Sequence, residues 1–277
     1  MFKIAYAAGH WIGNPKGIPT YMGLGDIREW TLNDQVAYHF ARAALEYEDV
    51  EILRLDDPAG KTAIELEDRA AAANKWCADF VAEFHHNGGI KGGTGGGVVA
   101  FSYPGSVKGK EYRDAIYEAV IDAGGLKGDR YEPVQEKAFD ILRFTSAPAV
   151  LMEYGFMDSR TDAPIIVTDA YSKLVAYATM EGIAKAAGLR KKAVREEDPQ
   201  LPETCDYTLN FYYLQEGDTG EGVRSLQQLL AAKGYSCADD GIFGPKTKQA
   251  VMQYQKKSGL VDDGIVGEKT MTHLWGL

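Results

Sequence analysis

The chain is poor in cysteine. Its three, Cys77, Cys205 and Cys237, are odd in number and share no close spacing. This argues against a disulfide framework and against a thiolate zinc site. It lacks any run of about 20 apolar residues, the length a membrane-crossing helix requires. Positive charge is short as well: 30 Lys and Arg against 40 Asp and Glu leave a formal net charge of -10. The first 188 residues hold 19 basic and 27 acidic side chains and the remainder 11 and 13, so the deficit lies mainly in the larger part. Phosphate backbones and anionic membranes are bound through clustered Lys and Arg, so neither nucleic acid nor membrane insertion is expected. No stretch near Met1 reads as a secretory signal, because a strand pattern begins at Lys3. Synthesis as a soluble cytosolic chain is therefore the expectation. Histidine is scarce too, with five in 277 residues. Against that background the vicinal pair His85-His86 stands out.

The 45% hydrophobic content suffices for one good core and a smaller module. Lys3 to Ala8 is a small apolar strand ending in Gly9-His10, and residues 11 to 28 read as a loop. From Glu29 to about Tyr47, Leu32, Val36, Phe40, Ala43 and Ala44 share one helical face. Asp49 to Leu55 alternates as a second strand, and Thr62 to Cys77 is an Ala-rich helix. Phe80 to Phe84 is an apolar strand that stops in His85-His86-Asn87 and a glycine run. Val98 to Tyr103 reads as a strand and Glu111 to Ala123 as a helix, while Tyr131 to Phe144 has no clear pattern. Ala149 to Phe156 is a strand carrying Glu153, and Ala170 to Ala187 is a helix stopped by Gly188. Strands alternating with helices predict an α/β fold, a mostly parallel twisted sheet with helices on both faces.

Residues 189–206 are charged, Pro-containing and aperiodic, a linker composition. Beyond them Asp240-Gly-Ile-Phe-Gly-Pro-Lys-Thr247 recurs as Asp263-Gly-Ile-Val-Gly-Glu-Lys-Thr270, 23 positions later. Helical stretches at Gly222–Lys233, at Thr247–Lys257 and from Thr270 predict a small three-helix domain over 207–277. Thr247 and Thr270 are expected as N-caps.

In open α/β sheets, ligands sit beyond the carboxyl ends of the strands. His10, His85 and Glu153 each end a strand, and Glu29 starts the helix that follows the loop from His10. Two imidazoles and a carboxylate are a common ligand set for a catalytic zinc. A carboxylate free of the metal would then move protons. The residues alone leave open which of Glu29 and Glu153 binds and which shuttles. Read alone, the His85-His86 pair also fits one imidazole capping a strand and the other facing water.

Ala-Gly-His10, Glu29 before a helix, Phe84-His85-His86-Asn87 and Pro148-Ala-Val-Leu-Met-Glu153-Tyr-Gly-Phe156 resemble the zinc-dependent N-acetylmuramoyl-L-alanine amidases of the amidase_3 type. The resemblance covers roughly residues 1–188. Leu214-Gln-Glu-Gly-Asp-Thr-Gly220, Val223-Arg-Ser-Leu-Gln-Gln228 and the two Asp-Gly-Ile loops resemble the three-helix peptidoglycan-binding domain. The resemblance implies one zinc per chain held by His10, Glu29 and His85, with Glu153 catalytic. It implies hydrolysis of the amide between N-acetylmuramic acid and the L-alanine of the stem peptide, with peptidoglycan as partner. Without a visible export signal, the pair of domains resembles an endolysin, released to the cell wall through holin-type pores.

The sequence departs from the family pattern at three places. Glu83 stands where that pattern has Ser, Trp11 where it has Gly, and His86 is an additional imidazole. Strand alternation turns His85 and His86 to opposite sides, and the spacing to Asn87 favours His85 as the ligand. Arg69, Asn74 and Arg143 are candidates for stabilising the oxyanion, or structural groups. Three rival readings accompany this one: a zinc peptidase acting on the stem peptide, a non-catalytic wall-binding protein, and a cytosolic α/β protein with a structural histidine cluster.

Overall fold

A computed structural model describes residues 1–24, 27–192, 214, 216–218, 221–235, 237–266, 270, 273 and 274. The chain divides into two compact units, Met1–Pro199 and Gln200–Leu277. The first holds six strands: β1 (Phe2–Ala8), β2 (Val50–Arg54), β3 (Phe80–Asn87), β4 (Val99–Ser102), β5 (Val134–Glu136) and β6 (Ala149–Phe156). Its helices are α1 (Glu29–Ala44), α2 (Leu66–Trp76), α3 (Val107–Asp122), α4 (Asp140–Phe144), α5 (Ala163–Ile166) and α6 (Asp169–Ala187). The strands form one sheet in the order β2-β1-β3-β6-β4-β5. All neighbours are parallel except β4 and β6, which run antiparallel. The α/β class and the mostly parallel sheet agree with the alternation of elements in the sequence.

Alternation along each strand builds two cores. Ile4, Tyr6, Ala8, Phe84, Met152 and Tyr154 face one side, packed with α1, α3 and α6. Ala5, Ala7, Val81 and Leu151 face the other, packed with Ala70 and Ala73 of α2 and Ile141 and Leu142 of α4. Phe40, Phe84 and Tyr154 are completely buried, and burying such a side chain contributes about 1.5–3 kcal/mol. The same alternation sends Glu83, His85 and Glu153 toward the α2 side and His86 toward α1.

Several boundaries differ from the sequence expectation for local reasons. Helix α2 begins at Leu66 rather than Thr62. The Asp57 carboxylate accepts the backbone N–H groups of Ala59, Lys61 and Thr62 and holds that stretch in a turn. Helix α3 begins at Val107 rather than Glu111, because the Ser106 hydroxyl accepts from Gly109 N at 3.1 Å and caps it. The stretch 131–144, patternless in sequence, holds the short β5 and α4. Strand β3 continues through both histidines to Asn87.

In the second unit, α7 (Glu221–Ala232) and α8 (Pro245–Lys257) pack around Val223, Leu226, Leu230, Phe243, Val251 and Leu274. The duplicated loops serve two buried glutamines. Gln227 donates to Asp240 Oδ1, Ile242 O and Thr247 Oγ1 and accepts from Gly241 N. Gln255 makes the same four bonds to Asp263, Ile265, Thr270 and Gly264. Thr247 and Thr270 are therefore socket walls, correcting the expectation that they are N-caps; Gly244 takes the cap position of α8, with Pro245 following. Most of the linker 189–206, part of the helix expected from Thr270, and Phe211, Tyr212, Tyr213 and Trp275 lie outside the described residues. Among the described residues, no helix is long and apolar enough to cross a membrane.

Candidate metal centre

The carboxyl ends of β1, β3 and β6 meet at one rim. The registers set Ala8 beside Phe84 and His85 beside Glu153. His10 follows β1 with φ 66°, a left-handed conformation costing a non-glycine residue about 1–2 kcal/mol. The His85 ring occupies the space that a Cβ on Gly9 would need. Asn33, one turn along α1 from Glu29, donates to Gly9 O at 3.0 Å and ties the end of β1 to the helix.

Glu29, the first residue of α1, is 2% exposed and reaches back over the rim. Its Oε2 lies 3.1 Å from His10 Nε2, and its Oε1 lies 2.9 Å from His85 Nδ1. The helix N-terminus adds favourable potential for its charge. Burial opposes ionisation of Glu29, but the adjoining His10 and His85 outweigh it and hold the carboxyl well below the usual range. Burial likewise disfavours a charged His85, yet Glu29 and Glu83 beside it drive its pKa up to about 10. His10 Nδ1 faces the Asn14 amide at 3.3 Å, and Lys16 Nζ is 3.5 Å from His10 Nε2.

His86 turns away from this cluster. Its Nδ1 pairs with Asn33 Oδ1 at 2.8 Å, and burial pushes its pKa down to about 3. A neutral, structural imidazole results, on the face opposite His85.

Glu153 neighbours His85 across the sheet, and its Oε2 is buried without a hydrogen-bond partner. Burial pushes its pKa up to about 7; Glu29 adds to the rise, and His85 and Lys16 oppose it. A carboxyl in this state can take a proton and give it back near neutral pH.

The donor atoms of His10, Glu29 and His85 lie within 4.8 Å of one another. A tetrahedral shell with bonds of about 2.0–2.2 Å spaces its donors by about 3.3–3.6 Å. The gaps of 2.9 and 3.1 Å need open only slightly for an ion, so the two imidazoles and one carboxylate suit a divalent metal. They sit in a cleft of about 890 Å³ with Trp11, Lys16 and Glu153, lined also by Ile64, Leu66, Phe139 and Ile141.

Of the groups considered for the oxyanion, Asn74 is committed to Phe144 O and Ser146 N. Arg143 is exposed and lies over the Phe144 ring. Arg69 is buried and donates into the protein. Lys16 lines the cleft beside His10, and nothing in the loop sequence singles it out. Asn33 had a legible signal, four residues after Glu29 on the same helical face.

The chain matches the N-acetylmuramoyl-L-alanine amidase family over residues 7–185 and a peptidoglycan binding domain over residues 219–274. It is 32% identical over 195 residues to the N-acetylmuramoyl-L-alanine amidase CwlM of Bacillus licheniformis, covering 70% of this chain and 72% of that one. It is 38% identical over 134 residues to an endolysin of Bacillus phage SPP1, covering 47% of this chain and 48% of that one. A solved N-acetylmuramoyl-L-alanine amidase from Clostridium difficile 630 shares the fold, with a TM-score of 0.60 and 24% identity over 68% of this chain and 97% of that one.

Proposed function

The chain belongs to the N-acetylmuramoyl-L-alanine amidase family, and from that premise we propose a zinc-dependent peptidoglycan amidase with one zinc per chain. His10, Glu29 and His85 hold the ion, and Glu153 is the catalytic base and acid. The observation that carries this reading is Glu29 lying between two imidazoles while Glu153, at the adjoining register position, keeps an unpartnered oxygen.

When bound, zinc supplies a Lewis acid that polarises the scissile carbonyl and acidifies a water. Glu153 takes the proton as the water oxygen bonds to the lactyl carbonyl carbon. It then delivers that proton to the departing nitrogen as the C–N bond breaks. The products are the lactyl carboxylate and a new L-alanine amino terminus. Glu29, held ionised by its neighbours, offsets the charge of the ion. Asn33 and Gly9 keep the rim in register.

We assign residues 1–188 to the catalytic domain, 189–206 to a linker and 207–277 to wall binding. Tethering to an insoluble polymer raises the local enzyme concentration. The likeness to a phage endolysin supports an endolysin role at the bacterial cell wall, reached by holin-type release. Elemental analysis tests the metal, with about one zinc per chain expected. Product analysis tests the bond cleaved: new L-alanine termini support the amidase, whereas cuts between amino acids would mean a stem-peptide peptidase. Glu153→Ala should abolish turnover while sparing zinc and wall binding.

A further inference from the structure

This inference rests on the zinc reading above. Beneath the two imidazoles, on the α2 side of the sheet, lies a buried ion pair. Arg69 Nη1 donates to Glu83 Oε1 at 2.9 Å, and the two side chains are 3% and 1% exposed. Withdrawing two charges from water costs several kcal/mol each, and their attraction typically little more than offsets it. Stability alone therefore gives little reason for the pair, and what it touches gives a better one.

Arg69 also donates to Ala8 O and His10 O, each at 3.1 Å, and to Ile64 O at 3.0 Å. The first two carbonyls flank Gly9, where β1 ends and His10 adopts its left-handed conformation. Glu83 Oε1, the oxygen that accepts from Arg69, faces Nε2 of His85 at 3.6 Å. The opposite nitrogen of that ring, Nδ1, faces Glu29 at 2.9 Å.

We propose that Arg69 and Glu83 form a positioning brace that sets the His10 backbone and the His85 ring together, so that both imidazoles present their lone pairs to one metal ion. A neutral imidazole carries one proton. A carboxylate beside Nε2 keeps the proton there and leaves Nδ1 free to ligate. Carboxylates behind metal-bound histidines act in this way, and losing one typically weakens metal binding about 10–100-fold. Here one carboxylate oxygen serves the histidine of β3, and the guanidinium it anchors serves the histidine after β1.

The test uses the full chain with Glu83→Gln, which keeps the shape and removes the charge. A second variant, Arg69→Met with Glu83→Gln, removes the guanidinium left unpaired. Zinc affinity is measured by competition with a chromophoric chelator, and the His85 tautomer by nitrogen-15 NMR of the zinc-loaded protein. Thermal unfolding of the metal-free variants checks that they fold. Both variants should bind zinc about 10–100-fold more weakly, and Glu83→Gln should change the His85 nitrogen shifts. Wild-type zinc affinity and an unchanged His85 spectrum in Glu83→Gln would overturn the brace and leave the amidase reading intact. Recovery of wild-type affinity in the double variant would do the same, because the defect would then come from the orphaned charge. A wild-type chain that holds no zinc would overturn both readings together.

Discussion

Gly9→Ala is the sharpest probe of the centre because its effect is steric and local. The new Cβ would lie 2.5 Å from Nδ1 of His85 and closer still to Cε1 and Nε2, where ordinary contact begins at 3.4 Å. The φ of Gly9 is not among the positive values, so alanine adds no left-handed strain. The backbone at Gly9 is tied to Asn33, so the ring must retreat, by about 0.9 Å at Nδ1 alone. Metal–ligand distances tolerate only about 0.2 Å, so His85 leaves the donor set. Loss of a direct ligand should exceed the about 10–100-fold cost of losing a partner behind one. We expect zinc affinity to fall more than about 100-fold, or about 2.7 kcal/mol. The displaced ring can move into the cleft, so the metal-free fold should lose only about 1–3 kcal/mol. Chelator competition measures the first quantity and thermal unfolding of the metal-free protein the second. Gly88→Ala is the control, since its Cβ would meet nothing nearer than Asp158 Oδ1 at 3.9 Å. A Gly9→Ala protein that binds zinc like the wild type would refute the placement of His85 in the centre.

Four further outcomes are expected. Glu153→Gln should lower kcat about 10²–10⁴-fold with zinc binding retained, and wild-type zinc affinity with undiminished kcat would remove Glu153 from the reaction. In the wild type the base works ionised, so kcat/KM should rise with pH through an apparent pKa at or below about 7, the metal-free value for Glu153, because a nearby dication can only lower it; an acid limb centred well above 7 would contradict the assignment. Chelation should abolish hydrolysis and about one equivalent of zinc should restore it, measured by release of L-alanine termini. In the tail, Gln255→Leu strips the hydrogen bonds of a buried glutamine and should destabilise that unit by about 2–4 kcal/mol, read from its unfolding transition.

Much of the architecture was legible because it is written in short-range periodicity. Alternating β1, β3 and β6 and the stripe of α1 declare which faces are buried, and parallel pairing then brings strand ends to one rim. His10, His85 and Glu153 were expected there on that logic alone, and Glu29 through the helix start that follows. The period of two also separates His85 from His86. Other features depend on chain closure. Nothing in Val99–Ser102 tells a parallel from an antiparallel partner, because side-chain alternation is the same in both. The segment 131–144 is too short in each element to show a period. Glu83 in sequence is only an acid inside an apolar strand. Arg69, on the helix packed over that same face, makes it a paired group beneath the site, and no local window contains both. The sequence by itself determined which residues end strands and which faces are apolar, since both follow from the geometry of a single element. Only the tertiary structure decided that a carboxylate lies between two imidazoles, that a second remains unpartnered and raised toward neutrality, and that a buried ion pair underlies the rim. Those are properties of distance and dielectric among residues that the chain holds far apart.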